Sequence, residues 1–181
     1  LKNTTTLQVI AEMQASITHD TPGSIMSSQI IALMYHYNIY KLGSKKDILT
    51  FVKDTISSYY SLRSDIHPTI WLPLHDAINY KKGPTSLNGF EASLSVIDIF
   101  VNNNDEHNLL IDAIDRGGDT DTSASIALGL AHISDEYEHN LSEKLQEEFK
   151  TTEPQYERLK NVNYELDKTF IPEYPQFLKT I

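Results

Sequence analysis

Two aspartates and a threonine, close together in the sequence, form the group best suited to chemistry. Asp119 and Asp121 are separated by one residue, and Thr122 follows directly. Three oxygen-bearing side chains at this spacing can hold a hard cation such as magnesium or manganese, whereas zinc more often takes His or Cys. Without a cation, two carboxylates this close repel each other. Gly117 and Gly118 come just before and allow a left-handed backbone or a close approach to a neighbour.

The same residues can also be interpreted as a helix cap. Asp and Thr are favoured at helix N-termini, where acidic groups interact well with the exposed N–H groups. One cap needs one side chain, however, and the stretch 119–122 offers two carboxylates and two hydroxyls. The following helix, 123–131, consists of small and apolar residues and is expected to be buried, so unpaired carboxylates at its start would be costly. On the residues alone, both interpretations stay open.

Apolar residues recur at helical spacing along most of the chain, which predicts that helices position these groups. Helices are predicted over 6–18, 22–40, 45–62, 89–100, 106–115, 123–131 and 141–149. Asp20 or Thr21 is expected to cap the second of them, with Pro22 at its first position. Residues 65–82 are ambiguous, because two prolines interrupt an otherwise helical pattern. The whole pattern predicts an all-α protein.

Composition and charge narrow the classes of function. The chain has 181 residues, of which 40% are hydrophobic, and this is typical of a globular protein with a sizeable core. A formal net charge of −10 argues against a nucleic-acid partner. No apolar run is long enough to span a bilayer, so no membrane partner is expected. The chain has no cysteine, which excludes thiol nucleophiles and thiolate metal sites. A cytoplasmic location is predicted.

The stretch Gly-Gly-Asp-Thr-Asp-Thr at 117–122, followed by Ser-Ala-Ser-Ile-Ala-Leu-Gly-Leu-Ala, resembles the C-terminal metal motif of the ADP-ribosylglycohydrolase family. Members of this family are all-helical hydrolases that remove ADP-ribose from proteins or small molecules at a two-magnesium centre. Two other segments match in the same order: Thr-His-x-x-Pro at 18–22, which opens an apolar helix, and Gly-Phe-Glu at 89–91. The resemblance implies a compact, multi-helix ADP-ribosylglycohydrolase-like bundle.

The resemblance also implies roles for individual residues. Asp121 would bridge two Mg²⁺ ions, with Mn²⁺ as an alternative, while Asp119 and Thr122 would each complete one metal shell. Asp119 and Asp121 would thereby be the catalytic residues. The implied substrate-binding residues are His19, Gly89, Phe90, Gly117 and Gly118.

Two of these residues also have an ordinary structural interpretation. A histidine beside a helix cap is usually a surface or capping residue, so it is the resemblance that places His19 in a substrate pocket. The family's aromatic residue at the other helix start is often Tyr, and Phe90 keeps a stacking face but has no hydroxyl. A core anchor and a ligand contact are equally supported for Phe90.

The function implied by the resemblance is hydrolysis of the glycosidic bond at the ribose anomeric carbon of an ADP-ribosylated protein or small molecule, assisted by metal. The alternative is a non-catalytic member that binds ADP-ribose, or an immunity-type member that neutralises a toxin through protein binding. The intact Asp-x-Asp-Thr set favours retained metal binding.

The resemblance covers nearly all of the chain but only the C-terminal part of the family domain. The family's N-terminal part carries a second acidic motif, of Asp-Asp-Thr type, which supplies the remaining metal ligands, and often a catalytic glutamate. We therefore expect residues 1–181 to form the C-terminal part of a single domain, with a tail over 153–181. A missing N-terminal segment or a second chain is expected to complete the site.

Overall fold

A computed structural model describes residues 3–85 and 88–152, and for positions 146 and 149 it describes the backbone. The chain divides into two compact units, Leu1–Asn140 and Leu141–Ile181. The predicted tail at 153–181 lies outside the described residues. Among the described helices, none combines the length and apolar character that a bilayer crossing requires.

The described residues form helices and no strands, as predicted for an all-α fold. In chain order the helices are α1 (Thr4–Ser16), α2 (Pro22–Ile39), α3 (Ile48–Ser61), α4 (Pro68–Ala77), α5 (Gly89–Asn102), α6 (Glu106–Asp115), α7 (Thr120–His132) and α8 (Glu143–Thr152). The first seven belong to the first unit and α8 to the second. A 3-10 turn, Lys45–Asp47, precedes α3.

Side-chain caps set several helix starts. Thr21 Oγ1 accepts the N–H of Ser24 at 3.3 Å, and Pro22 is the first residue of α2, which confirms the predicted cap. Asp105 Oδ1 accepts the N–H of Asn108 at 2.8 Å at the start of α6. Short polar side chains in these places satisfy donors that the first helical turn leaves unpaired. The helix starts are therefore encoded locally.

The ambiguous segment contains a helix that begins at a proline. Pro68 stands at the first position of α4, where a missing N–H costs nothing, and His67 caps this helix by accepting the N–H of Thr69. Pro73 lies inside the same helix. The expected break at Pro73 is therefore wrong, because α4 continues through this residue, whereas Pro68 marks the start of the helix.

Helix α5 lies at the centre of the first unit. Every residue from 92 to 100 is buried, and α5 packs against α2, α6 and α7. Most residues of this stretch are apolar, with Ile97 and Phe100 fully buried, and the polar residues Ser93, Ser95 and Asp98 are buried among them. The contact between α5 and α7 holds together two helices whose starts carry predicted site residues.

A buried ion-pair network holds the end of α6. Arg116 Nη2 lies 2.7 Å from Asp98 Oδ2 of α5 and 2.9 Å from Asp112 Oδ2 of α6. Its Nη1 donates to the carbonyl of Lys81 at 3.0 Å. The Asp98 side chain is 1% exposed. Because Gly117 follows Arg116 directly, the network fixes where the glycine pair begins.

The same network shifts the pKa of Asp112. Burial alone would raise that pKa, but hydrogen bonds from Arg116 and Asn103 outweigh burial and hold it below its usual value. Asp112 therefore stays ionised and paired at neutral pH.

We expect Arg116→Ala to lower the free energy of unfolding by about 3–5 kcal/mol, because the Asp98 carboxylate would stay buried without its cation. Asp135→Ala is the control, because Asp135 forms an exposed ion pair with Lys41. Loss of such a pair typically costs no more than about 1 kcal/mol. Denaturant unfolding measures the free energy of unfolding of both variants. Similar decreases in the two would show that the buried ion pairs stabilise the protein no more than the exposed pair does.

Candidate active site

Thr85, which lies before α5 in the chain, holds the turn between α6 and α7 through backbone hydrogen bonds. Thr85 donates its N–H to the carbonyl of Gly117 at 3.0 Å, and its own carbonyl accepts the N–H of Asp119 at 3.1 Å. Thr85 and Gly118 thereby form a parallel β-bridge. Thr85 is only 2% exposed, and no sequence pattern indicates this role.

The two glycines of the turn meet different requirements. Gly117 has φ = 68° and Gly118 has φ = 78°, so both adopt the predicted left-handed conformation. A Cβ at position 118 would lie 1.8 Å from the carbonyl oxygen of Thr85, whereas a Cβ at position 117 would meet nothing within 4 Å. Gly118 is therefore required by conformation and by close approach, and Gly117 by conformation alone. Their implied contact with substrate stays a prediction.

Asp119 stands at the N-cap of α7, but its side chain makes no capping hydrogen bond. By contrast, side chains cap α1, α2, α5 and α6 by accepting backbone N–H groups; these are Asn3, Thr21, Asn88 and Asp105. The capping interpretation of the Asp119 carboxylate is therefore not supported. A carboxylate that does not cap its helix remains available to a ligand.

The start of α7 is more exposed than its composition suggested. Asp121 and Thr122 are exposed and Asp119 is half-buried, while Ser123 and Ala124 are buried. The expectation that the carboxylates stand at a buried helix start was wrong, because α7 buries only one side at this end. Exposure removes the desolvation cost of two adjacent carboxylates and leaves them accessible to a hydrated cation.

A cavity of about 570 Å³ opens between the end of α1 and the starts of α2 and α5. This volume is in the range of small-molecule sites. The lining is rich in hydroxyl and amide groups: Gln14, Ala15, Thr18, His19, Thr21, Gly23, Ser24, Ser27, Ser28, Asn88 and Gly89. Ser27 Oγ donates to the carbonyl of Gly89 at 2.7 Å, which fixes α2 to the start of α5. His19 and Gly89, two predicted substrate residues, are thus brought together.

The ring of Phe90 is placed differently. Phe90 is 7% exposed and belongs to the hydrophobic core, and the cavity lining does not include it. A Cβ added at Gly23 would lie 3.7 Å from the Cβ of Phe90, so the base of this side chain lies beside the start of α2. This burial favours the core-anchor interpretation, and ring stacking on a ligand stays a prediction.

The predicted site residues therefore fall into two groups. His19 and Gly89 lie at the cavity, whereas the predicted residues of 117–122 lie at the α6–α7 turn and outside the cavity lining that the structure describes. The chain connects the two places, because Thr85 pairs with the turn and Asn88 borders the cavity. Three residues of backbone span at most about 11 Å, which limits the distance between the Cα atoms of Thr85 and Asn88.

Comparison with known proteins adds independent information. A family model described as ADP-ribosylglycohydrolase matches residues 2–166, which include the cavity residues and the α6–α7 turn. Comparison with curated proteins gives no match, and comparison with solved structures gives none.

We expect Gly118→Ala to destabilise the protein clearly more than Gly117→Ala. A non-glycine residue in the left-handed conformation costs about 1–2 kcal/mol, and both variants incur that cost. Only Gly118→Ala also places a Cβ 1.8 Å from the Thr85 carbonyl oxygen. Urea unfolding of the two variants measures the difference. Equal losses of stability would contradict the close approach of Thr85.

Proposed function

The chain belongs to the ADP-ribosylglycohydrolase family, and from this premise we propose that it is a hydrolase that removes ADP-ribose from a modified protein or small molecule. The bond cleaved is the glycosidic bond at the anomeric carbon of the ribose. The observation that carries the proposal is the α6–α7 turn. The turn presents two carboxylates and a hydroxyl at an accessible helix start. The carboxylate of Asp119, at the N-cap position of α7, makes no capping hydrogen bond.

The chemistry of these donors fits the metal that the resemblance implies. Asp119, Asp121 and Thr122 offer hard oxygen ligands, which suit Mg²⁺, with Mn²⁺ as an alternative. We assign these three residues to two Mg²⁺ ions; water, substrate oxygens or further protein groups complete the shells. Magnesium, when bound, supplies positive charge that orients ribose hydroxyls and a water molecule.

The cavity supplies features that suit the diphosphate of ADP-ribose. It lies at the N-termini of two helices, α2 and α5, where the helix dipole attracts anions and where Thr21 and Asn88 each accept one backbone N–H. Ser24 adds a hydroxyl donor, since its oxygen accepts from Thr21, and His19 adds an imidazole. These local features offset the acidic character of the whole chain, which has a net charge of −10.

The cavity and the α6–α7 turn bind different parts of one ligand. The cavity binds the nucleotide end, and the turn receives the ribose whose bond is cleaved. Thr85, which pairs with the turn, lies within about 11 Å of Asn88 at the cavity edge. The anomeric carbon passes through a cation-like transition state, and the carboxylates of Asp119 and Asp121 stabilise positive charge near it. The oxygen of a water molecule bonds to that carbon as the bond to the leaving group breaks, and the proton that the water loses passes to the leaving group.

The second candidate function is that of a non-catalytic member that binds ADP-ribose, or of an immunity-type member that neutralises a toxin through protein contact. The observation in its favour is an apolar face on α6, where Ile111 is 43% and Ile114 is 55% exposed. Such a face suits a protein neighbour, either a further segment or a second chain that completes the site.

Asp121→Asn is expected to weaken Mg²⁺ binding by about tenfold or more, because it removes one negative charge from a site built on few ligands. Asp115→Asn is the matched control, since Asp115 is an exposed carboxylate at the end of α6. Isothermal titration calorimetry measures both affinities. Unchanged Mg²⁺ affinity in Asp121→Asn would contradict the assignment, and a loss of stability alone would support only a capping role.

His19→Ala is expected to weaken ADP-ribose binding by about 1.5–3 kcal/mol, the typical value of a hydrogen bond to a charged group. Mg²⁺ affinity should stay unchanged. His67→Ala is the control, because His67 is exposed at the start of α4 and outside the cavity lining.

Phe90→Ala separates the two interpretations of this residue in the same assay. Ring stacking predicts a loss of about 1–3 kcal/mol in ADP-ribose binding. A core anchor predicts lower stability with unchanged affinity in the folded fraction. If His19→Ala binds ADP-ribose as tightly as the parent protein, His19 does not belong to the site.

A further inference from the structure

Three potential metal ligands meet at the end of the α6–α7 hairpin that lies away from the Asp119 turn. Glu106 Oε1 lies 3.1 Å from His132 Nδ1 and 2.9 Å from His139 Nδ1. The three ligand atoms all lie within 4.8 Å of one another. We propose that Glu106, His132 and His139 form a zinc site that fastens the chain after α7 to the start of α6.

This cluster is separate from the proposed magnesium site. Glu106 is the first residue of α6 and His132 is the last of α7, whereas Asp119 and Asp121 stand at the start of α7. Helix α7 has 13 residues, and at a rise of 1.5 Å per residue its two ends are about 18 Å apart. No residue can therefore serve both sites.

The donor atoms favour a different metal from that at the turn. Two imidazole nitrogens and one carboxylate oxygen are ligands that zinc takes readily, while magnesium prefers oxygen alone. In a tetrahedral zinc site the ligand atoms lie about 2.0–2.1 Å from the ion and hence about 3.3 Å from one another. The two separations from Glu106 Oε1, 2.9 and 3.1 Å, need to widen by a few tenths of an ångström, and the two imidazole nitrogens lie within 4.8 Å of each other.

Burial and exposure are also those of a metal site with one open position. The side chain of Glu106 is 5% exposed, whereas those of His132 and His139 are 57% and 48% exposed. The buried carboxylate gains a compensating charge from the ion, and the half-exposed imidazoles leave a path for it from solvent. A water molecule completes four-coordination.

The backbone already holds the ligands in place. The N–H of Glu106 donates to the carbonyl of Glu138 at 3.1 Å, next to His139. The N–H of His107 donates to Asn140 Oδ1 at 2.9 Å, on the other side of the same ligand. These bonds position His139 beside Glu106 independently of any ion, so little ordering remains to be done when zinc binds.

A hydrogen-bonded cluster without metal is the competing explanation. Each imidazole can donate its Nδ1–H to the carboxylate. The helix ends favour the same charges, because Glu106 is at an N-terminus and His132 is at a C-terminus. Both Nδ1 atoms lie beside the same carboxylate oxygen, Oε1, and this arrangement brings one atom of each residue close enough to share an ion. The zinc titration below decides between the two explanations.

Zinc titration of the full chain tests the proposal. Calorimetry is carried out with millimolar Mg²⁺ present, so that the Asp119 turn does not compete for zinc. We expect one tight zinc ion per chain. His132→Ala and His139→Ala should each weaken its binding by about tenfold or more, since loss of an outer-shell partner alone costs about 10- to 100-fold. His107→Ala, which removes an exposed histidine beside Glu106, should bind zinc like the parent.

Thermal unfolding followed by circular dichroism gives a second readout and verifies that each variant folds. Zinc should raise the Tm of the parent and of His107→Ala, and leave that of the His132→Ala/His139→Ala double variant unchanged, because only a binding-competent native state is stabilised. Parent zinc affinity no tighter than that of the folded double variant would overturn the proposal. So would loss of tight zinc binding in Asp121→Asn, which would place the ion at the turn.

Discussion

The carbonyl oxygen of Thr85 occupies the space that a side chain at position 118 would need, and much of the first unit depends on this contact. It joins the loop before α5 to the turn between α6 and α7. Because α5 begins at Gly89, the same short segment sets the start of the central helix and one edge of the cavity. Arg116 fixes the other side of the turn through its buried pair with Asp98. Two oppositely placed restraints thus hold a backbone that, with two left-handed residues, has little intrinsic stability of its own.

Individual carboxylates of this acidic chain are stabilised by local partners or by water. Asp98 and Asp112 are partly or fully buried and share Arg116, whereas Asp121 stays at the surface, where water reduces the repulsion between neighbouring carboxylates. The cavity relies on helix N-termini and hydroxyl groups to attract an anion. Fixed, buried charges therefore shape the molecule, and exposed or neutral polar groups face the proposed ligands.

Local sequence signals predicted the features that depend on neighbouring residues. The cap at Thr21, the bounds of α6 and the left-handed glycine pair follow from side-chain and backbone preferences within a few positions. Other features join distant residues that no periodicity connects: Arg116 and Asp98 are 18 positions apart, and Glu106 and His139 are 33 apart. The burial of Phe90 and the exposure of Thr122 depend on which side of a helix meets its neighbours. Residues 123–131 of α7 are small or apolar on all sides of the helix, so their composition does not show which side packs against other helices. For this reason the start of α7 was expected to be buried.

The central claim is that the α6–α7 turn, from Gly117 to Thr122, is the site of an oxygen-ligated metal in the proposed hydrolase. The most direct measurement adds Mn²⁺, a paramagnetic substitute for Mg²⁺, to the isotope-labelled chain and records amide signals by NMR. We expect substoichiometric Mn²⁺ to broaden the signals of residues 117–123 first, and excess Mg²⁺ to restore them. Broadening centred on another part of the chain, or broadening at the turn that Mg²⁺ does not reverse, would contradict the account.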